Sequence, residues 1–251
     1  MDTIKDILDK LKSELPATVK LVAVSKFHPF ESILQAYEAG QRIFAESRPQ
    51  ELSAKVAHAS KLRQEYLTNG GKGDYLNDIQ WHFIGHLQTN KLKMVLPYAS
   101  LVQSVDSLHL IEAIEKWGQQ NDRVTDILLE CHVSSDQSKQ GFSSDELLDF
   151  LSGSIEYPHI HVRGVMGMAT LTDDRNVIRD DFRKLTAMYD MLHDWLGESP
   201  NLPHSGALVK ENSPWDVSEI SMGMSDDYRI AVEEGSTMVR IGSMIFGARQ
   251  Y

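Results

Sequence analysis

The chain has 251 residues, the usual length of one α/β barrel, and no Pro/Gly/Ser-rich linker divides it, so a single domain over residues 1–251 is expected. With 41% hydrophobic and 24% charged residues it is composed like a globular protein with a large core, which excludes a disordered chain. A formal net charge of -11 argues against a general nucleic-acid binder, because phosphate backbones are held chiefly by Lys and Arg.

The first predicted element is an amphipathic helix, with Ile4, Ile7, Leu8, Leu11 and Leu15 at helical spacing rather than in the unbroken apolar run of a leader. Eight short β-branched runs follow, at 19–25, 42–45, 80–85, 101–105, 126–133, 162–168, 217–221 and 238–242. Helical segments such as 145–151, 179–196 and 225–234 lie between them. Eight strand-helix alternations predict a closed (β/α)8 TIM-type barrel with an extra N-terminal helix. The stretch from 53 to 78 is long for a barrel connection, and its Gly/Asn/Asp-rich end, 69–78, reads as a surface excursion. No run approaches the roughly 20 apolar residues that span a bilayer, so no membrane partner is expected. Cys131 is the one cysteine, which rules out an intramolecular disulfide and suits a reducing, cytoplasmic compartment.

In such a barrel the active site lies at the C-terminal strand ends. Lys26 directly follows Val22-Ala23-Val24-Ser25, where desolvation would lower its pKa and expose a nucleophilic amine for Schiff-base formation. A solvated lysine ending a strand is the plainer alternative. Arg240-Ile241-Gly242-Ser243 and Ser221-Met222-Gly223-Met224-Ser225 close strands eight and seven, where loops of this fold often cradle phosphate on backbone N–H groups. Tight strand-to-helix turns would account for either pair alone. His82, within Trp81-His82-Phe83-Ile84-Gly85-His86, could face a bound ring or be a buried histidine satisfied by a neighbour. Lys139, in Ser138-Lys139-Gln140-Gly141-Phe142, is a second lysine at the rim. Arg163 reads as a structural ion-pair partner low in the barrel, Asp226 and Asp227 as helix caps, and Cys131 as core. The ten histidines show no metal-ligand spacing, and neither a nucleophile elbow nor a dinucleotide fingerprint occurs.

Taken together, Ala23-Val24-Ser25-Lys26, Trp81-His82-Phe83-Ile84-Gly85, Ser221-Met222-Gly223-Met224-Ser225-Asp226-Asp227 and Val239-Arg240-Ile241-Gly242-Ser243 resemble the pyridoxal phosphate homeostasis proteins over nearly the whole chain. The resemblance implies a barrel of the alanine racemase N-terminal type, a pyridoxal-phosphate fold type III. It implies pyridoxal 5'-phosphate as cofactor, bound as an imine on Lys26, with Gly242, Ser243 and Ser221 around the phosphate and Arg240 facing the pyridine nitrogen. Ser47 and His82 join the cofactor-binding set, and Lys139, matching a Ser-Lys-x-Gly segment, is a candidate secondary contact. Two positions depart from the family pattern. Ala45-Glu46-Ser47 stands where many members have Gly-Glu-Asn, replacing an amide with a hydroxyl, and Ser243 stands where threonine is common.

The implied role is non-catalytic: a cytoplasmic monomer that buffers the cofactor and passes it to apoenzymes. The rival is an amino-acid racemase, which needs an acid-base group on each face of the imine, and Lys26 serves one. In alanine racemase the other is a tyrosine from a separate β domain, whereas this sequence ends at Arg249-Gln250-Tyr251 just after strand eight.

Overall fold

A computed structural model describes residues 2–136, 140–152, 157–196 and 216–248. Its frame is a closed barrel of eight parallel strands in sequential order, with β8 paired back onto β1. The strands are β1 (Lys20–Val24), β2 (Ile43–Glu46), β3 (Gln80–Phe83), β4 (Leu101–Val105), β5 (Thr125–Cys131), β6 (Ile160–Gly167), β7 (Glu219–Ser221) and β8 (Met238–Ile241). All eight predicted strands are present, each within a few residues of its expected limits. They are short because a barrel strand needs only to cross the core before its loop begins.

The helices are α1 (Ile4–Glu14), α2 (Phe30–Glu38), α3 (Pro49–Thr68), α4 (Leu92–Val95), α5 (Leu108–Asn121), α6 (Ser144–Ser152), α7 (Arg175–Leu196), α8 (Tyr228–Glu233) and α9 (Ser243–Phe246). Helix α1 precedes the barrel as expected, its start fixed by a capping box in which Thr3 and Asp6 bond reciprocally. Much of the long 53–78 connection is α3, a 20-residue helix that opens with Pro49 in its first turn, where the missing N–H costs nothing. Helix α8 starts three residues later than predicted. The Asp227 carboxylate accepts from the Met224 N–H at 2.6 Å and makes no cap bond to the helix, so the aspartate folds the preceding loop instead of capping α8.

Side chains divide into two apolar layers. Leu21, Ala23, Phe44 and Phe83 point outward to meet the helices, in the large cluster that also holds Ile33, Leu52, Ile111 and Phe182. Val22, Val24, Ala45, Leu101, Leu128, Met166 and Met238 form a second cluster, alternating with the first along each strand and filling the barrel itself. Cys131 belongs to the outer layer, and burial pushes its thiol pKa up, so it is core rather than a nucleophile. Arg163 sits at the N-terminal end of the barrel, paired with Asp216 at 3.2 Å and Asp126 at 3.8 Å.

Candidate functional site

The β1 strand leaves the barrel through a tight turn in which the His28 N–H donates to the Ser25 carbonyl at 3.1 Å. Phe27, inside that turn, has a left-handed backbone with φ 67°, which closes the turn between a strand and α2. The residue before it is Lys26. Its half-buried side chain lines a cavity of about 260 Å³ at the C-terminal mouth of the barrel. Arg240, Gly242 and Ser243 from the end of β8 line the same cavity, as do Ser225 and Asp226 from the loop after β7. Most of the remaining wall is apolar, made by Val24, Ile84, Met166, Met168 and Met224.

Arg240 is buried on the floor and donates to Ser221 Oγ at 2.7 Å and to the Gly167 carbonyl at 3.0 Å. Burial lowers its pKa to about 10, with the Glu130 and Asp227 charges opposing, so the guanidinium is still protonated at neutral pH. Ser221 uses its hydroxyl twice, accepting from Arg240 and donating to Gln103 Oε1 at 2.7 Å. It is fully buried and does not line the cavity, so the structure places it beneath Arg240 rather than beside Ser243.

His82 also stands apart from the cavity. It projects into the barrel one layer below Ile84, which does line the mouth, since alternate residues on β3 share a face. Its Nδ1 lies 2.8 Å from Gln103 Nε2, and burial pushes its pKa down to about 3, leaving a neutral ring that accepts from the amide. Ser47 is half-buried just past β2 and likewise does not line the cavity. Its carbonyl instead fixes Gly85, where a Cβ would come within 2.0 Å of the Ser47 oxygen. Lys139 lies outside the described residues.

Three polar lining residues were absent from the cofactor-binding set read off the sequence: Asp226, which the sequence presents as a helix cap, Ser225 and His28. Ser225 meets Ser243 hydroxyl to hydroxyl at 2.9 Å, a pairing signalled by their positions after adjacent strands. His28 is buried against the Phe246 ring, centroids 5.3 Å apart, and enters the cavity two residues past Lys26. Burial and the nearby Lys55 charge lower its pKa, so this imidazole is neutral. The cavity therefore combines a primary amine, a buried cation, a hydroxyl pair, a neutral base and the exposed Asp226 carboxylate within a largely apolar wall. Among the described residues no group of three or more His, Cys, Asp or Glu is placed to hold a metal ion.

Comparison with known proteins places this arrangement. The family model for the alanine racemase N-terminal domain matches residues 1–250. The chain belongs to that family. It is 33% identical over 232 residues to the pyridoxal phosphate homeostasis protein of Aquifex aeolicus, covering 92% of this chain and 88% of that one. Among solved structures it resembles PipY of Synechococcus elongatus with PLP bound, at 30% identity and a TM-score of 0.77, covering 98% of this chain and all of PipY. An alanine racemase from Corynebacterium glutamicum shares the fold at 15% identity and a TM-score of 0.63, with this chain spanning 60% of its length. Family membership thus agrees with the barrel.

Proposed function

We propose that this protein binds pyridoxal 5'-phosphate through Lys26 and serves in its homeostasis, holding and supplying the cofactor rather than turning over a substrate. The observation that carries the reading is the convergence of Lys26, the buried Arg240 and the Ser225–Ser243 hydroxyl pair on one cavity. The chemistry of that donor set suits the cofactor. A primary amine condenses with an aldehyde, hydroxyls beside Gly242 accommodate a phosphate, and Arg240 offers a fixed donor to a ring nitrogen. His82 and Ser221 enter only through Arg240, as links in the chain of hydrogen bonds below it. The relatives' names, and the bound PLP in PipY, support the same cofactor.

When bound, the cofactor supplies an electrophilic aldehyde and a ring able to take up electron density. An arginine that keeps its proton leaves the ring nitrogen unprotonated and weakens that sink, which favours storage over carbanion chemistry. In this reading the protein works as a cytoplasmic monomer that hands the cofactor to apoenzymes. Racemisation is the rival, and His28 is the one observation in its favour, since a neutral imidazole in the cavity is a second group able to move a proton.

The deciding experiment is the absorption spectrum with added pyridoxal phosphate, followed by borohydride reduction and peptide mapping. A visible band and a reduced adduct on the Lys26 peptide, both lost in Lys26→Ala, are the expected result. Absence of both in the wild-type protein overturns the reading. Exchange of the α-hydrogen of L-alanine or L-serine in deuterated water would support the racemase instead. Activation of an apo-aminotransferase no faster than by released free cofactor would refute direct handover.

A further inference from the structure

Behind the β1 turn, on the helix side of the barrel wall, lies an ion cluster that the cofactor reading does not use. Lys55, on α3, is buried and directs all three of its donors inward. Its Nζ reaches Glu46 Oε1 at 2.8 Å, Glu51 Oε1 at 2.7 Å and the Ser25 carbonyl at 2.8 Å. Glu46 is wholly buried at the end of β2, and the same Oε1 accepts from Ser25 Oγ at 2.6 Å. Glu51 Oε1 in turn accepts the Phe27 N–H at 2.7 Å.

These bonds converge on the two residues flanking Lys26. The Ser25 carbonyl before it takes Lys55 Nζ together with the His28 N–H, and the Phe27 amide after it is tied to Glu51. Phe27 holds φ 67°, a conformation costly for a residue with a Cβ, and its ring lies under the Arg48 guanidinium at 4.5 Å. Such a backbone persists only where its surroundings over-determine it. A buried ion cluster is moreover a poor choice for stability alone, because apolar residues of similar volume often serve as well or better. What apolar replacements cannot supply is an anchor for the carbonyl and amide on either side of Lys26.

We infer that Glu46, Lys55 and Glu51 are positioning residues, which fix the 25–28 turn and thereby aim the Lys26 amine into the cavity. The inference rests on the reading of Lys26 as the reactive amine. Its test therefore uses two readouts, the rate at which pyridoxal phosphate forms the visible adduct, and the acetylation of Lys26 by trace acetic anhydride in the protein without added cofactor, measured against the other lysines by peptide mass.

Lys55→Met and Glu51→Ala, folded by circular dichroism, are expected to slow adduct formation about tenfold or more and to shift Lys26 acetylation away from its wild-type value, as misplacement of a reacting group does. Glu51→Gln keeps an oxygen for the Phe27 N–H and should restore most of the rate. Arg179→Ala breaks a more exposed ion cluster with Glu233 and Glu234, none of which lines the cavity, and should leave both readouts unchanged. Should Lys55→Met fail to fold, Glu51→Ala carries the test, because the Glu51 side chain is already 20% exposed. Folded clamp variants with wild-type rates and acetylation overturn the inference. A wild-type protein that forms no adduct, yet whose Lys26 acetylation moves in the variants, sinks the cofactor reading and leaves the positioning role standing.

Discussion

Gly164 shows how much one residue decides. In β6 the register against β5 slips by one, Ile127 pairing with Val162 but Leu128 with Gly164, so Arg163 is the extra residue of a β-bulge. The bulge turns Arg163 toward Asp126 and Asp216 and leaves Gly164 at φ 145°, where a Cβ would meet the Glu219 carbonyl at 1.8 Å. Gly164→Ala combines overpacking with backbone strain, and we expect it to lower unfolding stability by about 3 kcal/mol or more. Urea unfolding gives the answer, and a midpoint within error of wild type would mean that the strands part without cost. Legibility at this scale was uneven. Lys26, Arg240, Gly242 and Ser243 could be read because each ends a strand, and a strand end in a barrel is a position in space. Ser221 and His82 could not be placed the same way, because whether an inward side chain reaches the mouth depends on strand stagger, which leaves no local mark in the sequence. His28 was missed for a related reason, since it enters the cavity only through the left-handed turn at Phe27.

Among elements, α3 carries more than its packing face. In the sequence its stretch shows only as a connection from 53 to 78 that is long for a barrel, and nothing there announces that Lys55 points into the wall. A lysine at helical spacing is normally solvated, and its burial is settled by Glu46 on β2 and Glu51 one helical turn earlier. The Glu46 carboxylate has one oxygen crowded with donors while its Oε2 finds no partner, and burial pushes its pKa up to about 7 against the opposing Lys55 charge. The sign of the linkage follows. Native structure binds this proton more tightly than the unfolded chain, so the associated stability is full below the ordinary carboxyl pKa of 4.5 and is lost as pH rises through about 7. Glu46→Gln keeps the oxygen that serves Ser25 and Lys55 but does not titrate. Over pH 4.5 to 7 the wild-type protein should lose on the order of 2 to 3 kcal/mol relative to Glu46→Gln. Parallel stability profiles for the two proteins across that window would show that Glu46 titrates as it does in the unfolded chain.

Across the whole molecule, the barrel interior changes character from bottom to top. The N-terminal end is closed by ion pairs, Lys20 with Glu219 and Arg163 with Asp126, and the apolar layer of Val22, Ala45, Leu128 and Met166 lies above them. Through this layer runs one polar chain, from His82 on β3 to Gln103 on β4, Ser221 on β7 and Arg240 on β8, ending on the Gly167 carbonyl of β6. Each link has its partner, and the only member that reaches the cavity is Arg240. Gln103 is the link that no motif signalled, since an amide within Leu101-Val102-Gln103-Ser104-Val105 looks like a lapse in a buried strand. It joins the two sides of the barrel, accepting from Ser221 and donating to His82. Gln103→Leu would preserve volume but leave the Ser221 hydroxyl without an acceptor for its proton and the His82 Nδ1 without its amide donor, both buried in the barrel. Stranding buried polar groups costs about 1–3 kcal/mol each, so a total loss of about 3 kcal/mol is expected in urea unfolding. The consequence for the site differs from that of the Lys26 clamp. With Ser221 released from Gln103, Arg240 keeps its bond to Gly167 but loses a fixed partner for its other nitrogen, so cofactor affinity should fall while the rate of attack by Lys26 is little changed. A variant that loses stability but keeps wild-type affinity would show that the chain braces the barrel alone, and that Arg240 is held well enough by Gly167 and by its packing.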